Sequence, residues 1–322
     1  MICLDNKRRI HVGATARNKS NGSGATMVVI KRVSIIGSGY MGSGIGMASS
    51  RGGYLVTLMD IHADALTKAL RRIRARLQEV YVDEEDKIQE VLQRIRTTTS
   101  LEEAVKDADL VIEAVTEKLG IKQQLFKLLD TLSSSNTILA SNTSSLTITE
   151  IAAEVSERRK TQCGGLHFFN PISLTDIVEV VPIAETSNET LDLLMSYVKG
   201  IGKKILKCKD TPGFIVNRVF VAYTGQTFQM LERGDATIED INTAATFVRK
   251  MPEGAFARWD NIGLDVVLCV LENLHERLPE GDIYKPTTFL RELVAQGKLG
   301  RKTGEGFYKY DVSEDGDVPA MI

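Results

Sequence analysis

One histidine and one glutamate, each inside an apolar segment, are the first residues in this sequence with the means to do chemistry. His167 lies in Gly-Leu-His-Phe-Phe-Asn-Pro, and Glu179 follows in Ile-Val-Glu-Val-Val. A carboxylate within a strand is costly to bury unless it is paired. Because imidazole titrates near neutral pH, a His–Glu pair could accept and return a proton. The alternative is that His167 is a satisfied core residue, as lone strand histidines usually are.

A glycine-rich segment, Gly37-Ser-Gly39-Tyr-Met-Gly42, indicates a second kind of chemistry, the binding of a diphosphate. In a turn between a strand and a helix, Gly37 would allow the tight turn, Gly39 would leave room for a pyrophosphate, and Gly42 would let the helix pack closely on the strand. The helix N-terminus, with Tyr40 and Met41, would present free N–H groups to the phosphates. Such a motif is weak evidence alone, but here a strand precedes it and a helix follows it.

Asp60 ends the next apolar run, at about the spacing where an acid binds the ribose hydroxyls of a dinucleotide. A 2′-phosphate would be repelled by this carboxylate, and no arginine occurs in the following segment, His62-Ala-Asp-Ala. The sequence therefore predicts NAD as the cofactor in preference to NADP. A glycine-rich turn without a ligand is the alternative.

These residues need a scaffold, and the sequence from residue 31 onward predicts an α/β fold. Short β-branched runs alternate with amphipathic segments of helix length, which is typical of a Rossmann-type, mostly parallel sheet with covering helices. The predicted strands are Val33–Ile36, Leu55–Met59, Leu110–Ala114, Ile138–Ala140, Gly165–Phe168 and Ile177–Val181, and the predicted helices are Ala63–Val80, Asp83–Arg96, Lys118–Leu132 and Asn188–Gly200. Ligands of such sheets bind beside the carboxyl ends of the strands, where His167 would lie.

The alternation stops after Thr211-Pro212-Gly213, and the remaining sequence is mostly helical. The predicted helices there are Gly213–Arg233, Ile238–Lys250, Leu264–Arg277 and Thr287–Gln296. Since Pro and Gly punctuate the change, we expect a Rossmann domain over residues 31–210 and an all-helical domain over residues 211–322. The segment 297–304 resembles a phosphate loop only superficially, because it lacks the required spacing and follows a helix, so a helix stop and turn is expected.

Composition narrows the class of protein. The 322 residues carry a net charge of -2, which gives no basic surface for nucleic acid, and the sequence contains no apolar stretch of the roughly 20 residues that span a bilayer. Four scattered cysteines argue against a zinc site or a disulfide framework and favour a reducing compartment. Residues 1–30 are basic and rich in Ser, Asn and Gly, so they are either a mitochondrial presequence or a disordered extension. The expected location is the mitochondrial matrix or the cytoplasm, without secretion.

Five segments, in order, resemble the L-3-hydroxyacyl-CoA dehydrogenase family, and the likeness extends over nearly all of residues 31–310. They are Val33–Gly42, Ala140–Ser145, His167–Pro171, Asp210–Arg218 and Lys302–Tyr308. His-Phe-Phe-Asn-Pro is similar to the segment of the acyl-CoA enzymes rather than to that of relatives acting on free sugar acids. The resemblance implies NAD-dependent oxidation of L-3-hydroxyacyl-CoA to 3-ketoacyl-CoA, and the reverse, in fatty-acid β-oxidation or short-chain acyl-CoA metabolism.

The resemblance also implies roles for the proton-handling residues. His167 would be the general base, and Glu179 would fix its tautomer and stabilise the imidazolium. Ser144 and Asn217 would hydrogen-bond the reacting oxygen or the region of the imidazole. For these two residues, a place in a turn or at a helix start is the alternative.

Further residues match family positions near the cofactor. These are Glu117, Lys122 and Asn142, beside the glycine-rich segment and Asp60 already named. Solvated charges at a helix start are the alternative for Glu117 and Lys122. The helical domain would, by the same resemblance, form a homodimer.

Two segments depart from the family pattern. Ile172-Ser-Leu-Thr-Asp176 stands where members usually have a segment containing Pro-Val-Met-Lys, and Pro252-Glu-Gly254-Ala-Phe256 replaces Pro-Met-Gly-Pro-Phe. Both leave the His–Glu pair intact and leave the acyl chain length open. A dehydrogenase of a free hydroxy acid or sugar acid is the competing enzyme, and a non-catalytic, structural member of the fold is the other alternative.

Overall fold

The computed structural model describes residues 29–248, 251, 254–278 and 281–310. Apart from residues 29 and 30, the N-terminal extension expected over residues 1–30 lies outside this description, as do Pro252 and Glu253 of the second departing segment.

Eight strands of the described chain form one sheet in the order β3-β2-β1-β4-β5-β6-β7-β8. They are β1 (Arg32–Ile36), β2 (Leu55–Met59), β3 (Ile95–Thr98), β4 (Leu110–Glu113), β5 (Ile138–Ser141), β6 (Cys163–Phe168), β7 (Ile177–Pro182) and β8 (Lys204–Lys207). Every neighbouring pair is parallel except β6 with β7. The central strands are buried on both faces, which explains their nearly continuous apolar sequences.

Helices cover this sheet and then form a separate layer. The helices over the sheet are α1 (Tyr40–Arg51), α2 (Ala63–Val80), α3 (Glu85–Gln93), α4 (Leu101–Val105), α5 (Leu119–Leu132), α6 (Ile148–Ile151), α7 (Glu157–Lys160) and α8 (Asn188–Gly200). The later helices are α9 (Val216–Arg233), α10 (Ile238–Thr243), α11 (Ala255–Ile262), α12 (Leu264–Arg277) and α13 (Thr288–Ala295). The predicted fold class, a Rossmann-type sheet followed by helices, is confirmed. The boundary at residues 210 and 211 stays a prediction.

Apolar side chains form three cores. Ile45 of α1 and Ile73 of α2 belong to the core on one face of the sheet, and Phe126 of α5 belongs to the core on the other face. Phe228 of α9 and Trp259 of α11 belong to a third core within the later helices. Among the described helices, none has the length and apolar character needed to cross a bilayer.

The observed elements differ from the predicted ones in two strands and in the ends of two helices. β3 and β8 were not predicted, and the helix expected over Asp83–Arg96 ends at Gln93 so that Ile95 can pair with β2. Both strands lie at edges of the sheet, where polar side chains are tolerated. The helix expected over Ile238–Lys250 is α-helical only to Thr243 and π-helical over Ala244–Val248, and residues 249 and 250 of that prediction lie outside the described residues.

The segment 297–304 follows α13 as a turn. Gly297 has a positive φ of 73°, and a 3-10 turn spans Arg301–Thr303. The expected helix stop and turn is confirmed.

Candidate active site

The carboxyl ends of the parallel strands meet at one edge of the sheet, and the candidate site residues follow these ends. Gly37 comes directly after β1, Asp60 after β2 and Asn142 after β5, while His167 is the penultimate residue of β6. β7 runs the other way, so it begins at the same edge and brings Glu179 back to it. The topology therefore collects residues that are distant in sequence.

The β6–β7 hairpin places His167 directly opposite Glu179. The two are register partners, and His167 Nδ1 lies 2.7 Å from Glu179 Oε2. Opposed residues of an antiparallel pair present their side chains on the same face. Because a carboxylate only accepts hydrogen bonds, we assign the ring proton to Nδ1, which leaves Nε2 of the neutral ring as a proton acceptor.

Glu179 is fully buried and uses both oxygens. Its Oε1 accepts the backbone N–H groups of Ile215 at 3.0 Å and Val216 at 2.8 Å, at the start of α9. Burial alone would raise the pKa of Glu179, but the hydrogen bond from His167, the two N–H groups and the charge of His167 together lower it below its ordinary value. The carboxyl therefore stays ionised at neutral pH. Its ionised form stabilises the fold above the unfolded-state pKa, and this contribution is lost as the pH falls through the lowered pKa.

Two aromatic rings flank the imidazole. The ring centroid of Phe169 lies 4.4 Å from that of His167, and the centroid of Phe214 lies at 5.7 Å. The His167 side chain is only 6% exposed. This packing restricts the ring to one orientation, and an oriented ring transfers protons along one direction.

The loop after β5 carries two of the sequence-predicted residues. Asn142 Oδ1 accepts the N–H of Phe168 at 2.9 Å, which ties this loop to the strand of His167. Asn217 Nδ2 donates to the backbone carbonyl of Ser144 at 2.9 Å. Asn217 thus holds the Ser144 loop against α9.

Glu117 and Lys122 belong to one charge network, in which Lys122 is buried and Glu117 is partly exposed. Lys122 Nζ lies 2.5 Å from Glu113 Oε1 and 3.1 Å from Glu117 Oε2, and the Lys122 side chain is 1% exposed. Glu117 Oε1 accepts the Thr143 hydroxyl and the N–H of Ser144. Burial would raise the pKa of Glu117, but the charge of Lys122 and these hydrogen bonds lower it. The description of solvated helix-start charges therefore does not hold for Lys122.

Sequence reasoning missed Glu113, which completes this network. It ends β4 and accepts the Ser141 hydroxyl at 2.6 Å while fully buried. An acid at the carboxyl end of an apolar run is the signal that singled out Asp60, and the same signal could have found Glu113.

The glycine-rich turn fits a diphosphate. Gly37 has a φ of 101°, and a Cβ there would lie 2.6 Å from the carbonyl oxygen of Ala114. A Cβ on Gly42 would lie 1.8 Å from the carbonyl oxygen of Gly37, so the helix and turn pack too closely for any side chain. A Cβ on Gly39 would meet no atom within 4 Å. Of these three glycines, only Gly39 borders open space, and a site for phosphate oxygens requires such space.

The N-terminus of α1 suits an anion. Gly39 is its N-cap, with no side chain to cap the first N–H groups and no acid in the first turn. The leading N–H groups of the helix, from Tyr40 and Met41 onward, lack intrahelical partners. Together with the helix dipole, they attract negative charge.

Asp60 is tied to the glycine-rich turn through Ser38, which sequence reasoning also missed. Asp60 Oδ2 accepts both the N–H and the hydroxyl of Ser38 at 2.9 Å, and Oδ1 accepts the N–H of His62 at 3.1 Å. Burial would raise the pKa of Asp60, but these hydrogen bonds and the charge of His62 lower it. The carboxylate is therefore charged and oriented, and Oδ1 keeps one lone pair for a hydroxyl.

Replacing Asp60 with Ala is expected to weaken NADH binding by about 1–3 kcal/mol, the scale of lost charge-assisted hydrogen bonds. Binding would be measured by NADH fluorescence, with Asp64→Ala as the control because Asp64 is an exposed carboxylate at the start of α2. Equal turnover of NADPH and NADH by the wild-type protein would show that Asp60 does not select the cofactor.

Comparison with known proteins gives one family for both halves of the chain. Residues 32–211 match the family model described as the 3-hydroxyacyl-CoA dehydrogenase NAD binding domain, and residues 213–310 match the C-terminal domain of the same name. The chain is 40% identical to the mitochondrial hydroxyacyl-coenzyme A dehydrogenase of Homo sapiens over 294 residues, which cover 89% of this chain and 93% of that protein.

Other relatives agree. The probable 3-hydroxybutyryl-CoA dehydrogenase of Bacillus subtilis is 38% identical over 285 residues, covering 88% of this chain and 98% of that protein. The crystal structure of (S)-3-hydroxybutyryl-CoA dehydrogenase from Ralstonia eutropha matches with a TM-score of 0.81 at 36% identity, covering 88% of this chain and 99% of that one. Two matching domains in order, close to full-length coverage and a shared fold establish that this chain belongs to the 3-hydroxyacyl-CoA dehydrogenase family.

Proposed function

We propose that this chain is an NAD-dependent dehydrogenase that oxidises L-3-hydroxyacyl-CoA to 3-ketoacyl-CoA and catalyses the reverse reduction. The observation that carries this proposal is the buried His167–Glu179 pair at the same sheet edge as the glycine-rich turn. A proton acceptor beside a dinucleotide site is the equipment that alcohol oxidation needs. Membership of the family supports the acyl-CoA thioester as the substrate.

In the oxidation direction, Nε2 of His167 accepts the proton of the substrate hydroxyl. NAD, when bound, supplies the acceptor for the hydride that leaves C3. Glu179 holds Nδ1–H and stabilises the imidazolium as it forms, because its lowered pKa keeps it charged. In reduction, the imidazolium returns the proton to the carbonyl oxygen.

Ser144 and Asn217 serve this step by orienting the reacting oxygen. The Ser144 hydroxyl is a donor and acceptor on a loop that Asn217 and Glu117 hold by its backbone. Lys122 acts through Glu117, since its own ammonium is buried between two carboxylates. Asn142 adds rigidity between this loop and the His167 strand.

The residues that would hold NAD lie at the carboxyl ends of the parallel strands and at the start of α1. The diphosphate would lie over Gly39 at the N-terminus of α1, and Asp60 would accept a ribose hydroxyl. The other residues proposed for the cofactor site are Gly37, Gly42, Tyr40, Met41, Glu117 and Asn142, and Lys122 contributes to it through Glu117.

The proposal is tested by comparing a thioester with its free acid. We expect wild-type protein to oxidise NADH with acetoacetyl-CoA, followed at 340 nm, and to show a kcat/KM for free acetoacetate lower by about 10²-fold or more, because the coenzyme A contacts are lost. Free coenzyme A should compete with the thioester. Equal activity on acetoacetate, without competition by coenzyme A, would favour the free-acid dehydrogenase.

The loop between β6 and β7 bears on the acyl chain length. Lys203 Nζ lies 2.6 Å from the carbonyl oxygens of both Ile172 and Thr175, so this loop is fixed from the side of β8. Asp176 is exposed, in place of the usual basic residue, and Leu174 is 64% exposed. The departure of this loop from the family pattern leaves the preferred acyl chain length open.

A homodimer formed by the later helices is part of the proposal. Val219 and Phe220 of α9 are 60% and 49% exposed, and Phe247 and Val248 are 72% and 76% exposed. An exposed apolar surface of this kind is commonly covered at a two-fold interface.

We expect static light scattering at micromolar concentration to give twice the mass of the chain, and Phe220→Glu to shift the protein toward monomer. Val82→Glu is the control, because Val82 is 69% exposed but precedes α3 in the first half of the chain. A wild-type monomer would contradict the proposed homodimer.

We infer a reducing compartment, the mitochondrial matrix or the cytoplasm. Cys163 and Cys208 are buried free thiols, and Cys269 is an exposed free thiol. The human relative is named as mitochondrial, which supports a mitochondrial location.

A further inference from the structure

Three of the four arginines of helix α2 have different partners. Arg74 forms an ion pair with Glu85 at 2.6 Å, and Arg76 forms one with Glu79 at 2.7 Å. Arg72 is partly buried and, among the residues that the structure describes, forms no ion pair with a carboxylate. A partly buried, permanently charged guanidinium without an anion indicates a place for one.

Arg72 is directed at the glycine-rich turn instead. Its Nη2 donates to the carbonyl oxygen of Ser38 at 2.8 Å, and its Nε lies 3.5 Å from the hydroxyl of Ser43 in the first turn of α1. The turn that would bind the diphosphate therefore has a cation held against it by a second helix.

The Ser38–Gly39 peptide is fixed by this contact. Ser38 is fully buried, its N–H and hydroxyl donate to Asp60, and its carbonyl accepts from Arg72. In a trans peptide the C=O and the following N–H point to opposite sides. Holding the Ser38 carbonyl toward Arg72 therefore directs the N–H of Gly39 away from it, and Gly39 is the residue that borders open space.

We propose that Arg72 is a cofactor-positioning residue, which orients the Ser38–Gly39 peptide and adds positive charge to the diphosphate site. The proposal rests on the NAD site of the proposed function and extends it to a helix outside the glycine-rich segment. Arg72 lies 34 residues from Ser38 in sequence, so the motif alone does not contain it.

The test compares Arg72→Gln with Arg71→Gln, which removes the same charge from an exposed neighbour on α2. Binding of NADH and of ADP-ribose would be measured by calorimetry, and kcat with acetoacetyl-CoA at saturating NADH. We expect Arg72→Gln to weaken the binding of both ligands about tenfold, with kcat within about twofold of wild type. Arg72→Lys should recover part of the affinity, because it keeps the charge but loses the planar geometry.

ADP-ribose contains the diphosphate of NADH but lacks the nicotinamide. Its affinity therefore reports on the diphosphate site without a contribution from the nicotinamide. If Arg72→Gln binds ADP-ribose as wild type does, or if Arg71→Gln weakens it equally, the proposal is overturned. If Arg72→Gln fails to fold, Arg72→Lys would be measured in its place. An affinity of Arg72→Lys for ADP-ribose equal to that of wild type, at both low and raised salt, would also overturn the proposal. Failure of wild-type protein to bind NADH at all would instead reject the cofactor site itself.

Discussion

His167→Gln is expected to lower kcat by about 10²- to 10⁴-fold, the usual contribution of a positioned general acid–base group. Glutamine fills much of the same volume but cannot take up a proton at neutral pH. Binding of NADH should stay within about twofold of wild type, because the glycine-rich turn, Ser38 and Asp60 are untouched.

Turnover would be measured with acetoacetyl-CoA and NADH at saturation, and NADH binding separately by fluorescence. His275→Gln in α12 is the control for the same substitution in the helical layer. Near-wild-type turnover by His167→Gln would reject His167 as the proton-transfer group, even if the chain proved to be a dehydrogenase.

Glu179→Gln is expected to have the second largest effect, a fall in kcat of about 10²-fold or more. Glutamate has two acceptor oxygens here, one for His167 and one for the N–H groups of Ile215 and Val216. Glutamine has a single oxygen, and if the two N–H groups hold it, the amide NH₂ faces Nδ1. The neutral ring would then carry its proton on Nε2, where it cannot accept one from the substrate.

The same variant should also change the pH dependence. Loss of the neighbouring charge destabilises the imidazolium that forms when the proton is accepted, so we expect the pH profile of the oxidation rate to change. Glu179→Gln and wild type would be compared from about pH 5 to 9 in the oxidation direction. An unshifted profile with unchanged kcat would show that Glu179 serves packing alone.

Much of the fold was predictable because its apolar spacing is strong. The predicted and observed bounds agree for α2, α8 and α12, where buried residues such as Leu66, Ile73 and Leu77 recur at helical spacing. β3 was not predictable in this way, since Ile-Arg-Thr-Thr has one apolar residue and forms a strand through backbone pairing with β2. Edge strands owe their structure to a neighbour that local sequence does not reveal.

In the candidate site, too, some contacts were predictable from the sequence and others were not. The His167–Glu179 contact was predictable, because a carboxylate in an apolar strand demands a partner. The hydrogen bond from Arg72 to the Ser38 carbonyl was not predictable, since Arg72 lies on an amphipathic helix whose partly exposed face carries several similar arginines. The sequence does not distinguish Arg72 from Arg71 and Arg74, and only the packing of α2 beside α1 shows which of them contacts the glycine-rich turn.

Selectivity for one enantiomer and for NAD is the property that most clearly distinguishes an L-3-hydroxyacyl-CoA dehydrogenase. Wild-type protein would be incubated with NAD and either enantiomer of 3-hydroxybutyryl-CoA, and formation of NADH followed at 340 nm. We expect steady NADH production with the L enantiomer, a rate lower by about 10²-fold or more with the D enantiomer, and little activity when NADP replaces NAD. No NADH production from the L thioester, by folded protein that binds NADH, would show that the chain is not an L-3-hydroxyacyl-CoA dehydrogenase.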